Sequence, residues 1–282
     1  MKTAIALGTF DGIHDGHRAV LDAVLPYSSV AVSFRIPPKA VIFGDCELIM
    51  TPDDKVKNLR KIGIKQVELL DFENVRMLSP IEFLDSLNER FSPKLISCGY
   101  NYRFGKDATG NVALLENYCK EKGIELVCNG CVYDENGQPV SSTAIRSLIK
   151  SGEIIEANQH IYDGFSFSAP VLHGDARGRT LGFPTINQKL PDTLVVPKSG
   201  VYAVRVLFDG KEYKGVSNIG IRPTFETEHI MSETYIGGFS GDLYERMVTV
   251  KPVAFLRPER RFGSLDELKD AISNDIYRMN NL

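Results

Sequence analysis

A chain of 282 residues exceeds one ordinary compact domain, so length alone implies two, each large enough to bury its own core. With 43% hydrophobic and 24% charged residues and a mean hydropathy of -0.12, the composition shows no bias toward disorder or membrane and is that of an ordinary soluble globular protein. A formal net charge of -3 and a pI near 6.0 exclude a surface built to neutralise many nucleic-acid phosphates, so any bound nucleotide is expected to be small.

At the start of the chain, MKTAIALGTFDG is too short for the apolar region of a signal peptide, and no later stretch approaches the roughly 18 apolar residues of a membrane helix. Neither membrane nor nucleic acid is expected as a partner, and a cytoplasmic location follows. Thr3 to Leu7 then reads as a strand, and Gly8-Thr9-Phe10-Asp11-Gly12-Ile13-His14-Asp15-Gly16-His17 as a loop opening a helix. A loop between a parallel strand and a helix N-terminus turns backbone N–H groups and a positive dipole end toward phosphates. His14 and His17, in an HxGH pattern, place two imidazoles where they can donate to charge developing on a transferring phosphoryl group.

Further short apolar runs follow at Ser29 to Phe34, Gln66 to Asp71, Lys94 to Cys98 and Ile124 to Cys128. Between them, Ser79-Pro80-Ile81-Glu82 carries a capping box with proline at the first helical position, and a helix over Asn111 to Lys122 stops at Gly123. Strands alternating with helices predict a mostly parallel sheet covered on both faces. Ser142 and Thr143 stand where another helix begins, with Arg146 one turn later as a forked cation, a second set of donors for phosphate. The five cysteines form an odd set fitting a reducing compartment, and the CxxC of Cys128 and Cys131 has no second half for a zinc site.

After a boundary within Gly152 to Gly164 the pattern changes to short β-rich runs, such as Val201 to Phe208 and Met247 to Leu256, with one helix over Ser264 to Ile276. That predicts a small β-barrel closed by a C-terminal helix. Gly174 to Asn187 (GDARGRTLGFPTIN) is a glycine-punctuated loop with two arginines, followed by Thr185 and Asn187, whose oxygens suit a hard cation such as Mg2+. It is not a Walker P-loop.

GTFDGIHDGH resembles the HxGH nucleotidyltransferases and, more narrowly, the opening of bacterial bifunctional riboflavin kinase/FMN adenylyltransferases. Gly99 to Gly105 (GYNYRFG) is similar to that family's central loop, and Ser141 to Arg146 to its SSTxIR motif. Gly178 to Asn187, Gly200-Val201-Tyr202, Asn218 to Phe225 and Leu256 to Glu259 are similar, in order, to riboflavin kinase segments.

The resemblance implies an α/β Rossmann-like nucleotidyltransferase domain at 1–157 and an antiparallel β-barrel riboflavin kinase domain with a C-terminal helix at 158–282. It implies ATP-dependent phosphorylation of riboflavin to FMN in the second domain and adenylylation of FMN to FAD, with release of pyrophosphate, in the first. In the residues of this sequence, ATP falls to Gly8, Phe10, Gly16, Ser142, Thr143, Arg146, Gly178, Arg179 and Gly182, with catalytic His14 and His17. Flavin falls to Asn101, Arg103 and Arg257, the metal to Thr185 and Asn187, and the kinase base to Glu233, ahead of the nearby Glu226 and Glu228.

The chain departs from the family pattern twice. Phe34-Arg35-Ile36-Pro37-Pro38 has Pro37 where an F-x-P-H-P segment is usual, and Tyr235 stands where histidine commonly follows the glutamate. The alternatives are a single-activity kinase with an impaired first domain and a flavin-binding regulatory protein.

Overall fold

The apolar runs of the first half become five parallel strands, β1 (Thr3–Leu7), β2 (Ser28–Phe34), β3 (Gln66–Leu70), β4 (Leu95–Gly99) and β5 (Glu125–Asn129), ordered β3-β2-β1-β4-β5. The structure, a computed structural model, describes residues 2–44, 47–173, 182–223 and 228–282. The chain divides into two units, Met1–Ala144 and Ile145–Leu282.

In the first unit, Ile5, Leu7, Val30, Val32, Ile96 and Cys98 share one core cluster with Phe83, Leu84 and Leu87 of the helix Pro80–Phe91 and Leu115, Tyr118 and Cys119 of the helix Val112–Lys122. Central strands covered by helices read as unbroken apolar runs, which is why β1 and β2 were visible in the sequence. The helix ends follow their local chemistry. Ser79 and Glu82 make both bonds of the capping box, Asn111 accepts from Leu114 N at 2.9 Å, and Gly123 ends its helix at φ 66°. The helix Pro52–Ile62 has no counterpart in the sequence reading, because two of its three buried residues are polar: Lys55, Asn58 and Leu59.

In the second unit, β6 (Phe167–Pro170), β7 (Thr185–Lys189), β8 (Gly200–Phe208), β9 (Lys211–Pro223), β10 (Glu228–Ile236) and β11 (Met247–Arg257) run antiparallel in the order β6-β11-β8-β9-β10-β7. The two outer strands approach each other. Leu172 N donates to Asn187 O at 2.7 Å, and Gln188 Nε2 donates to Ala169 O at 2.7 Å and Val248 O at 2.8 Å, so the barrel is nearly closed. The β8–β9 hairpin turns at Asp209 and Gly210 with φ of 51° and 71°, the left-handed pair a twisted two-residue turn requires.

The helix Leu265–Asn280, capped by Ser264, packs Met279 against Val201, Ala203, Val216, Ala254 and Leu256. It runs one turn beyond the predicted end. The helix Ile154–His160 lies against β11, and Asn158 Nδ2 donates to Pro252 O at 2.9 Å, so the expected division at 157/158 falls inside a helix tied to the barrel.

Candidate active sites

Strand order reverses between β1 and β4, and in open parallel sheets ligands bind in the crevice beyond the carboxyl ends of the strands at such a point. Both loops that the sequence singles out in the first half leave from there. The loop Gly8 to His14 leads from β1 into the helix Asp15–Asp22, while Gly99 to Gly105 follows β4.

The first loop is held in an uncommon shape. Phe10 and Ile13 have φ of 49° and 42°, left-handed values that non-glycine residues adopt only when surroundings impose them. Both side chains are fully buried, so an ATP contact from Phe10 falls to its backbone. Asp11 anchors the loop by accepting from Ile49 N at 2.9 Å and Met50 N at 3.4 Å. Ser142 Oγ donates to Asp11 O at 2.9 Å, which brings the SSTxIR segment to the loop across 131 residues of sequence. Arg146 lies one turn further along the helix Ser142–Ser151, on the face of Ser142.

His14 and His17 stack with ring centroids 3.7 Å apart, and the Phe10 ring meets His17 edge-on at 5.4 Å. A Cβ on Gly16 would stand 3.2 Å from His14 Cε1, so glycine there makes room for the imidazole. His17 Nδ1 is buried without a hydrogen-bond partner among the described residues. Burial holds the His17 pKa well below the usual imidazole value, and His14 and Lys55 push the same way. His17 is therefore a neutral imidazole, able to offer one N–H without carrying a charge of its own.

Asn101 and Arg103 are exposed on the loop after β4, which is braced from beneath by Tyr102 stacked on Phe104 at 5.5 Å. Gly105, at φ 71°, passes so close to Pro80 that a Cβ would stand 2.7 Å from its backbone. Pro37 caps the short helix Pro38–Phe43 in the segment that departs from F-x-P-H-P.

The second site is laid out by register. Glu233 on β10 sits opposite Asn187 on β7 and Asn218 on β9, and Tyr235 sits opposite Thr185. Paired residues of antiparallel strands share a face, and alternation brings in Gly220 and Arg222. One face of β7-β10-β9 thus carries Thr185, Asn187, Glu233, Tyr235, Asn218 and Arg222. The opposite side chains point inward, where the buried hydroxyls of Ser217, Ser232 and Thr234 bond to one another at 2.8 to 3.0 Å.

Glu233 pairs with Arg222, and Asn218 Nδ2 donates to Glu259 Oε1 at 2.9 Å. Asn218 Oδ1 is buried and has no partner among the described residues, an acceptor left open on this face. Arg257 is held by the buried carboxylate of Asp275, through Nε at 3.0 Å and Nη2 at 2.8 Å. Gly182 is described, at φ 88°, whereas Gly178 and Arg179 lie outside the described residues, as do Thr224, Phe225, Glu226 and the side chain of Glu228. Cys128 and Cys131 join no group of three or more ligands fit for a metal among the described residues.

Asn218, Arg222 and Lys55 were not singled out as site residues. The first two stand within the segment Asn218 to Phe225, and their signal is strand alternation carried from Glu233 onto the neighbouring strand. Lys55 gave none, since a lysine in a polar helix reads as solvated.

Residues 1–144 match the FAD synthetase family and residues 162–282 match the riboflavin kinase family. The chain is 30% identical to the bifunctional riboflavin kinase/FMN adenylyltransferase of Bacillus subtilis (strain 168), over 97% of its own length and 90% of that protein's. It is 33% identical to the protein of the same name from Escherichia coli (strain K12), over 96% and 90%. A solved structure titled "Macrolide-efflux Protein from Streptococcus pneumoniae" superposes with a TM-score of 0.89 at 30% identity, covering 100% of this chain and 94% of that one. Among the described residues no helix is long and apolar enough to cross a membrane. Both halves match in the order that the two loops and the barrel face occur along the sequence, and the chain belongs to the bifunctional riboflavin kinase/FMN adenylyltransferase family.

Proposed function

We infer that the chain makes FAD from riboflavin in two ATP-dependent steps, with the second unit phosphorylating riboflavin and the first adenylylating the FMN produced. The observation that carries this is the presence on one chain of both families' segments, with the HxGH loop beside a sheet's switch point and Thr185, Asn187, Asn218, Arg222 and Glu233 on one barrel face.

In the kinase step, the riboflavin 5′-hydroxyl attacks the γ-phosphorus of ATP, its proton passes to Glu233, and ADP leaves. Arg222 and Asn218 flank that carboxylate. Gly178, Arg179 and Gly182 are assigned to the phosphates of this ATP, and Arg257, fixed by Asp275, to the flavin side. Thr185 and Asn187 would hold Mg2+: two hard oxygen donors, with the open Asn218 acceptor on the same face, suit an ion that takes its other ligands from water and phosphate. When bound, the ion neutralises charge on the phosphates.

In the adenylyl step, an FMN phosphate oxygen attacks the α-phosphorus of a second ATP and the bond to pyrophosphate breaks, with no covalent enzyme intermediate. His14 and His17 donate to the transferring phosphate. Gly8, Phe10 and Gly16 offer backbone around it, and Ser142, Thr143 and Arg146 bind the departing phosphates. Asn101 and Arg103 are assigned to FMN. The bounds read from the sequence, 1–157 for adenylylation and 158–282 for the kinase, differ from the two compact units over Ile145–Ala157.

Incubating purified protein with riboflavin, ATP and magnesium and separating the flavins over time tests the proposal. FMN followed by FAD is expected. FMN that never becomes FAD would leave a single-activity kinase, and unchanged riboflavin would leave a flavin-binding regulatory protein.

A further inference from the structure

Lys55 is among the largest fully buried side chains of the molecule, 1% exposed, in the helix Pro52–Ile62. A buried ammonium is costly unless each of its donors is satisfied, and here they are. Nζ donates to Thr9 O at 2.9 Å and Phe34 O at 2.8 Å, and lies 3.4 Å from Ser33 Oγ. Ser33 Oγ in turn donates to Thr9 O at 2.8 Å.

These acceptors are not scattered. Thr9 O belongs to the residue just before Phe10, where the phosphate loop enters its left-handed turn, and Phe34 O ends β2, where the chain leaves for the segment that departs from F-x-P-H-P. One ammonium therefore ties down the carboxyl ends of two adjacent strands at the base of the loop that carries His14 and His17. A strained loop keeps its shape only if its surroundings over-determine it, and the doubly bonded Thr9 carbonyl does so at the point where the strain begins. The ammonium also places a positive charge beneath the loop, with Asp11 and His17 as its titratable neighbours. It acts on His17 through charge and needs no contact with it.

We propose that Lys55 is a positioning residue for adenylyl transfer: by fixing the Thr9 and Phe34 carbonyls it holds the Gly8 to His17 loop in the geometry that stabilises the transferring phosphate. Lys55 touches neither substrate. Its loss leaves the donors of the loop present but misplaced, and a displacement near 1 Å costs on the order of 100-fold in rate.

This rests on the reading of the first unit as the adenylylating one, so the wild-type chain, given FMN and ATP, must first be seen to make FAD. Failure there sinks that reading and not merely the role of Lys55. With it in hand, Lys55→Met, an unbranched apolar replacement, is compared with wild type for kcat and KM on FMN and ATP, with FMN formation from riboflavin as the internal control. The expected result is kcat for FAD formation lowered about 30-fold or more, KM for ATP within about threefold, and FMN formation unchanged. A kcat within twofold of wild type overturns the proposal.

If Lys55→Met fails to fold in the first unit, Ser33→Ala decides, because it removes one of the two bonds on the Thr9 carbonyl and leaves the lysine. It should lower kcat about fivefold without raising KM, and an unchanged kcat overturns the proposal. Where both variants fold, their effects should be non-additive, since the Thr9 carbonyl is common to both, and additive effects also count against it.

Discussion

Arg222 on β9 pairs with Glu233 on β10, so the carboxylate assigned as the kinase base is held by a cation on the adjacent strand, on the face that also carries Asn187 and Asn218. A base must be aimed at the alcohol it deprotonates, and a cross-strand partner on a rigid sheet aims it better than a loop would. Glu233→Gln should lower FMN formation about 10²- to 10⁴-fold while FMN supplied directly still becomes FAD. Separating flavins after each feed checks this, and loss of both steps would contradict one reaction per unit.

Changing His14 and His17 together to Ala should have the reverse effect. Each donor to a developing phosphate charge contributes about 10²- to 10³-fold, so FMN should accumulate as the end product. FAD formed at the wild-type rate would remove the phosphate role from both rings.

Gly220 lies against Glu259, and a Cβ there would stand 2.6 Å from Glu259 Oε1. The obstacle is the far end of a flexible side chain, so Gly220→Ala should fold, pushing Glu259 off Asn218 and losing a hydrogen bond worth about 1 kcal/mol. FMN formation should slow about fivefold with an unfolding temperature close to wild type. An unchanged rate would show that the Glu259 to Asn218 contact does not serve the site.

Burial holds the pKa of Lys55 at about 8, against an ordinary 10.5, with Asp11 opposing part of that fall. Between about 8 and 10.5 the unfolded chain binds more protons than the folded one, so this group makes stability rise with pH across that window. Below it the lysine is protonated in both states and contributes no slope. Thermal unfolding from pH 7.5 to 10 should therefore show wild type gaining on Lys55→Met as pH rises, and parallel traces would mean the lysine titrates normally.

Arg257 meets the Asp275 carboxylate with the pair largely out of water, side-chain exposures being 20% and 2%. Arg257→Leu strands a buried carboxylate and should cost about 3 kcal/mol of stability in the second unit. Asp275→Asn keeps a neutral partner and loosens the guanidinium, so riboflavin KM should rise if Arg257 faces the flavin. An unchanged KM, with only stability lowered, would make Arg257 a structural anchor for the helix Leu265–Asn280.

Local chemistry carried much of this architecture. Thr3 to Leu7 and Val201 to Phe208 were legible because buried strands demand continuous or alternating apolar residues, and Ser79 with Glu82 because a capping box needs no distant partner. The HxGH, SSTxIR and FPTIN segments stand out for a similar reason, since each sets residue types able to donate to phosphate or offer oxygen to a hard cation at short spacing. The helix Pro52–Ile62 was not, because a lysine and an asparagine join Leu59 on its buried face, and a lysine becomes core only when acceptors elsewhere in the chain satisfy it.

The loop Gly8 to His14 and the barrel face around Glu233 mark that division. By itself the sequence determined which residues can donate to phosphate, accept a proton or offer oxygen to a cation, since these are properties of side chains. Only the tertiary structure decided that Ser142 meets the Asp11 carbonyl, that Arg222 and Asn218 share a face with Glu233, and that Lys55 bonds the Thr9 and Phe34 carbonyls. Each of those relations depends on sheet order and strand register, which are set by the joint burial of residues far apart in the chain.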